Sequence, residues 1–167
     1  MRKHLGAGFS CAKVCIHEYK RVCMAAQIWA WSGRLSLNHP EMDATHQEFV
    51  TLCAALSDTQ SAKTYLERLD DLIAHSIVHF EQENTWMRDF SFPPAGCHER
   101  EHDTVLELMQ EVRRLIVAGE VDLEARLAQE LPLWFEHHVD TMDNMLAQFM
   151  RSHAAEHVIA TTAVSTA

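Results

Sequence analysis

Apolar positions in this chain of 167 residues recur at intervals of three and four, the spacing of one helix face. Nowhere do they alternate long enough to predict a strand. Asn38-His39-Pro40-Glu41 reads as a helix start, with proline at the first helical position and an acid beside it. His46, Phe49, Cys53 and Leu56 then share one face to about Ser57, where Asp58-Thr59-Gln60-Ser61 breaks the pattern and supplies capping side chains. A second helix is predicted from about Ala62 to Asp89, with Leu69, Leu72, Ile73, Ser76, His79, Phe80, Glu83, Trp86 and Met87 along its stripe. The Pro-Pro-Ala-Gly run ending at Gly96 is a loop. A third helix follows from roughly Cys97 to Val117, with His98, His102, Val105, Met109, Val112 and Ile116 inward and Gly119 closing it. The fourth runs from about Asp122 to Phe149, with Leu127, Leu131, Trp134, His138, Met145 and Phe149 inward. Pro132 removes a backbone donor there and is expected to kink it. Four amphipathic helices with short joints predict an all-α, antiparallel up-down four-helix bundle.

Composition narrows the class without changing the fold. At 47% hydrophobic and 23% charged, with five Gly and four Pro, the chain is neither collagen-like nor of disordered composition. A formal charge of −10 makes nucleic acid a poor partner, and no apolar run is long enough to span a membrane. Residues 1–23 differ in character. Arg2, Lys3, Lys13, Lys20 and Arg21 stand against Glu18, and three of the five cysteines (Cys11, Cys15, Cys23) lie there. No continuous apolar stretch makes this segment a signal peptide. It reads as a basic N-terminal extension, disordered or not translated in the native protein. The bundle then covers 24–150, and 151–167 is a flexible tail. Five cysteines at these spacings form neither a disulfide framework nor a zinc site, which fits a reducing cytoplasm.

The chemistry is in the polar residues that fall on apolar stripes. His79 and Glu83 are four apart, as are His98 and His102, so each pair stacks on one helix face. His46 is on the first helix. His138 and Asp143 are on the fourth, five apart, which leaves them about 140° apart around a regular helix. An isolated histidine on such a face is ordinarily a hydrogen-bonded core residue. Five histidines and two carboxylates converging from four helices are another matter, because buried carboxylates need a compensating charge. Two divalent metal ions bridged by the carboxylates, with imidazoles outside, supply it. A nitrogen-rich shell favours reversible ferrous–ferric chemistry over the carboxylate-rich shells that stabilise high-valent iron.

These residues resemble the hemerythrin family. A tryptophan-containing opening (Trp29, Trp31) precedes Asp43-Ala44-Thr45-His46. An H-F-x-x-E signature stands at His79-Phe80-Glu81-Gln82-Glu83, followed by Trp86-Met87. Phe92-Pro93 leads to His98 and His102, and Trp134, His138 and Asp143 complete the pattern. The resemblance covers about Met24 to Met150, and it places a natural start near Met24. It implies a di-iron centre, oxo- or hydroxo-bridged. One iron would be held by His98, His102 and His138, and the other, with an open position, by His46 and His79. Glu83 and Asp143 would bridge them, and dioxygen would bind at the open iron. Phe49, Phe80, Trp134, Phe135 and Val139 match positions that wall the oxygen pocket, and they equally suit ordinary core packing. Asn84 and Thr45 depart from the residues often found beside the ligands, without loss of a ligand. His75, one turn before His79, is read as a partner behind that ligand or as a plain polar residue. His137 is expected to be exposed, and His39 to cap rather than ligate.

Three functions follow from this reading. The leading one is a non-enzymatic protein that reversibly binds dioxygen for storage, delivery or buffering, as a monomer or weak homo-oligomer. The second is a di-iron enzyme acting on peroxide or nitric oxide, or in iron-cluster repair, with Cys97 beside His98 as its only nearby thiol. The third is a sensor that works through a separate protein partner.

Overall fold

The first three helices of this protein begin, and the second and third end, where local hydrogen bonds take up their free backbone groups. The computed structural model describes residues 29–57, 61–120 and 122–164, with side chains to residue 154. The expected extension 1–23, the expected start near Met24 and residues 165–167 lie outside the described residues, as do Cys11, Cys15 and Cys23, whereas residues 151–164 of the expected flexible tail continue as helix. A single 3-10 turn at Gly33–Leu35 leads into α1 (Pro40–Ser57), α2 (Ala62–Asp89) and α3 (Ala95–Val117). The fourth rod is α4 (Leu123–His138), a π-helical segment (Val139–Asp143) and α5 (Asn144–Val164). α1 packs on α2, α2 on α3, α3 on α4, and α4 back on α1, which closes the bundle. Among the described residues there is no strand, and no helix long and apolar enough to cross a membrane.

The ends follow the predicted punctuation. His39 accepts the Met42 N–H at 3.3 Å and so caps α1, as expected. The Ser61 hydroxyl accepts the Thr64 N–H at the start of α2. α3 starts two residues earlier than expected, because Pro94 accepts from the amides of Cys97 and His98. Its end is a Schellman turn: Glu120 N–H donates to Leu115 and Gly119 N–H to Ile116, with Gly119 at φ 91°. α2 ends in the same arrangement around Ser91 (φ 52°), a residue with no glycine freedom.

The inward stripes of α2 and α3 fall where the periodicity places them, but the fourth rod does not hold its expected register. α4 runs through Pro132 to His138, and the irregularity comes later, at Val139–Asp143. A π segment absorbs one extra residue, so the inward face beyond it moves one position on. Met145, expected inward, is 45% exposed, and Leu146, Ala147 and Met150 are buried instead.

An arm ahead of α1 ties the bundle's surface together. Trp29 Nε1 donates to Glu136 at 3.0 Å, Arg34 pairs with the same carboxylate, and Arg151 reaches the Leu37 carbonyl at 2.7 Å. Asp43 accepts from Leu37 N–H and from the Ser36 hydroxyl, both at 2.7 Å. Because Gly119 sits where an L side chain is strained, Gly119→Ala is expected to lower unfolding free energy by about 1–2 kcal/mol. Urea titration checks this, and an unchanged midpoint would show that the turn relaxes.

Candidate metal centre

All seven polar residues singled out on the apolar stripes are buried, and they meet in the middle of the bundle. His46, Glu83, His98 and Asp143 are fully buried, and His79, His102 and His138 are at most 3% exposed. α1 supplies His46, α2 supplies His79 and Glu83, α3 supplies His98 and His102, and the fourth rod supplies His138 and Asp143. The last pair would diverge on a regular helix. Hydrogen bonds spanning five residues widen the turn, and Asp143 comes round to the face that His138 occupies. Its carboxylate then lies 3.2 Å from His138 Nε2.

The imidazoles divide into two sets. His98, His102 and His138 form one, with His138 Nε2 3.0 Å from the Nε2 of each of the others. His46 and His79 form the second, with ring centroids 5.1 Å apart. Between the sets lie the two carboxylates, and each offers one oxygen to each side. Glu83 Oε2 is 3.3 Å from His98 and 3.2 Å from His102, while Oε1 is 3.0 Å from His79 and 3.4 Å from His46. Asp143 Oδ1 is 3.0 Å from His98, and Oδ2 is 3.4 Å from His46.

These spacings fit metal ions better than hydrogen bonds. Donors about 2.1 Å from one ion and at right angles to each other lie about 3.0 Å apart. With His138 Nε2 at that distance from two other Nε2 atoms, its one site cannot serve both as hydrogen bonds. Asp143 has no hydrogen-bond partner on either oxygen, and Glu83 has none on Oε2. An orphaned carboxylate in a dry interior is costly unless a cation compensates it. Two groups could therefore each hold an ion. One is Glu83, His98, His102, His138 and Asp143; the other is His46, His79 and Glu83, the set with fewer donors.

The electrostatics point the same way. Burial opposes ionisation of Glu83, but the surrounding His79, His102 and His46 outweigh it and hold the carboxyl well below its usual range. Burial and the Glu83 charge likewise oppose ionisation of Asp143, and His138 and His98 overcome them. Burial disfavours the charged form of His98, yet Asp143 and Glu83 lift it to about 9. His46 is raised by the same carboxylates against its own burial. At His102 burial prevails and the shift is downward. The cage thus favours positive charge at its centre, and an ion entering it would displace protons.

Aromatic rings hold the imidazoles in place. Phe80 lies parallel to His102, with centroids 4.0 Å apart, and Trp134 stacks on His138 at 4.8 Å. Phe49 and Phe135 stack on each other at 4.3 Å, and Phe135 stands perpendicular to His46 with centroids 5.2 Å apart. Of the five wall residues read from the sequence, Phe49 and Phe135 therefore face the two-histidine side and Trp134 the three-histidine side. Phe80 touches both through His79 and His102, and Val139 is buried beside His138.

Cys97 is exposed beside Arg100, and His137 is exposed as expected. His75 is mostly buried against the His79 ring, and burial pushes its pKa down. Sequence reasoning gave no role to Glu48 or Glu136. Their partners lie 27 and 107 positions away, and no local pattern marks such contacts.

Comparison with known proteins agrees with this geometry. Residues 39–150 match the family model of the hemerythrin HHE cation binding domain. A bacteriohemerythrin of Ralstonia nicotianae is 46% identical over 120 residues, covering 72% of this chain and 87% of the relative. One from Aquifex aeolicus is 31% identical, covering 64% and 86%. A crystal structure of wild-type hemerythrin superimposes with a TM-score of 0.68 at 21% identity, over 73% of this chain and 97% of that one.

Because each carboxylate faces both sets, Glu83→Ala or Asp143→Ala is expected to reduce bound metal from two ions per chain toward one or none. Elemental analysis of folded, metal-loaded protein reads this out, and two ions retained by either variant would refute the bridging geometry.

Proposed function

The chain belongs to the hemerythrin family, and from that premise we propose that it is a di-iron protein that binds dioxygen reversibly. One observation carries the reading. Two buried carboxylates each give one oxygen to a five-donor group and one to a side with fewer donors. The poorer side is where a small ligand could be taken up. Two ferrous ions, one in each group, would supply the electrons for reversible dioxygen binding, which suits a shell of five neutral nitrogens and two carboxylates.

The residues around the poorer side have a definable task. The stacked Phe49 and Phe135 close it with fully buried apolar surface. They exclude the water and protons that would drive release of reduced oxygen and leave the metals ferric. Phe80 and Trp134 fix the imidazoles of His102 and His138, which keeps the closed side rigid. The thiols of Cys53 and Cys97, both free, support a reducing, cytoplasmic setting. We propose that the chain works there as a monomer or weak homo-oligomer, with dioxygen as its ligand.

Ferrous-loaded protein cycled between air and vacuum is expected to gain and lose a visible charge-transfer band over repeated cycles. A single irreversible oxidation, or steady consumption of peroxide, would refute the carrier reading. Phe135→Ala is expected to lower stability by about 3–5 kcal/mol and to shorten the lifetime of that band. Denaturation and timed spectra in air measure both, and an unchanged lifetime would remove the ring from the water-excluding wall.

A further inference from the structure

The two-histidine side is sealed by aromatic surface on most of its flanks. Phe49, Phe80 and Phe135 are at most 2% exposed, and none offers a donor to a metal ion. A divalent cation that has shed water cannot cross such a wall without ligands along the way. One flank differs. Between α1 and α2 lies a surface groove of about 560 Å³, lined by Ala44, Gln47, Glu48, Thr51, Leu52 and His75. At its mouth the Glu48 side chain is 72% exposed, and at its floor that of His75 is 13% exposed. Glu48 Oε2 is 3.6 Å from His75 Nδ1.

His75 lies directly against the metal cage. Its ring centroid is 5.7 Å from that of His79. Ring pairs within the two ligand sets are separated by 4.5 to 5.1 Å, and His75 stands slightly farther from His79, whose Nε2 is turned to Glu83. No hydrogen bond joins the two rings. His75 Nε2 and His79 Nδ1 are both buried without a partner. The carboxylate, this imidazole and the His79 imidazole thus run in order of increasing burial, at 72%, 13% and 2% side-chain exposure, from solvent to the cage.

We propose that Glu48 and His75 form a relay that takes a divalent transition-metal ion from solvent and passes it to His79 and His46. Carboxylate and imidazole together suit ferrous iron and its neighbours in the first transition row better than calcium or magnesium. The relay rests on the di-metal reading of the cage, and the experiment separates the two.

The probe is cobalt(II), added to the metal-free full-length chain and followed by its visible absorption in a stopped-flow instrument. His75→Leu is expected to slow uptake about tenfold, and to slow removal by a chelator by a similar factor, because a relay lowers one barrier in both directions. The final content should still be two ions per chain. Glu48→Gln, a change at an exposed side chain, should slow uptake by a smaller factor, and His137→Leu on the fourth rod should change nothing. Wild-type rates in Glu48→Gln and in folded His75→Leu, at full metal content, would overturn the relay and leave the cage intact. Reduced content in His75→Leu with an unchanged uptake rate would also overturn it, by making His75 a structural support. Failure of the wild-type chain to bind cobalt would overturn the cage reading itself. Should His75→Leu not fold, unchanged uptake in Glu48→Gln is sufficient to reject the proposal.

Discussion

Two carboxylates buried at the centre of four helices set the terms for the rest of this molecule. A charge of that kind is tolerable in a dry interior only when opposite charge or strong donors surround it on every side. Here the surroundings come from all four rods at once, so the helices must meet at the same height and with the same faces inward. Glu83 and Asp143 are also shared, each between two sets of imidazoles, which makes the two halves of the cage parts of one electrostatic object. Any distortion that moves one carboxylate changes the field on both sides. The apolar core above and below the cage can tolerate conservative substitution as apolar cores do; the cage cannot.

Local devices bring the donors to that common point. Spacings of four stack His79 on Glu83 and His98 on His102 at no conformational cost, because a regular helix already aligns them. The fourth rod carries a spacing of five, and there the backbone changes its hydrogen-bonding pattern over Val139–Asp143 to bring Asp143 inward. Flat rings then fix the imidazoles: Phe80 against His102, Trp134 on His138, and Phe135 perpendicular to His46. Aromatic faces suit this because they restrict ring rotation without competing for the nitrogen lone pairs.

Much of this could be read from the chain alone, and the parts that could not share a cause. α1 and α2 begin and end where Pro40, Ser57, Ala62 and Asp89 were expected to bound them, since capping and periodicity are local properties. The seven cage residues were legible because polar side chains on apolar stripes contradict the pattern around them. Met145 was misplaced because periodicity assumes a constant number of residues per turn, and the fourth rod changes that number just before it. The partition of the aromatic wall, the Glu48–His75 pair and the bonds of Trp29 and Arg151 depend on which helices become neighbours. Such pairings leave no trace at short range in the sequence.

The arm ahead of α1 has a consequence for the order of events during folding. Trp29 and Leu37 find their partners on Glu136 and Arg151, more than a hundred residues further along the chain. Neither contact can form until the fourth rod has docked, so the loop-closure entropy of nearly the whole bundle must already have been overcome. The arm therefore latches last. In the finished protein its release would break these bonds and also expose Leu35 and Leu37, which are buried in the core, and part Trp29 from Phe135. Amide protection around Leu35–Asn38 therefore depends on the docking of the fourth rod and not on α1 alone.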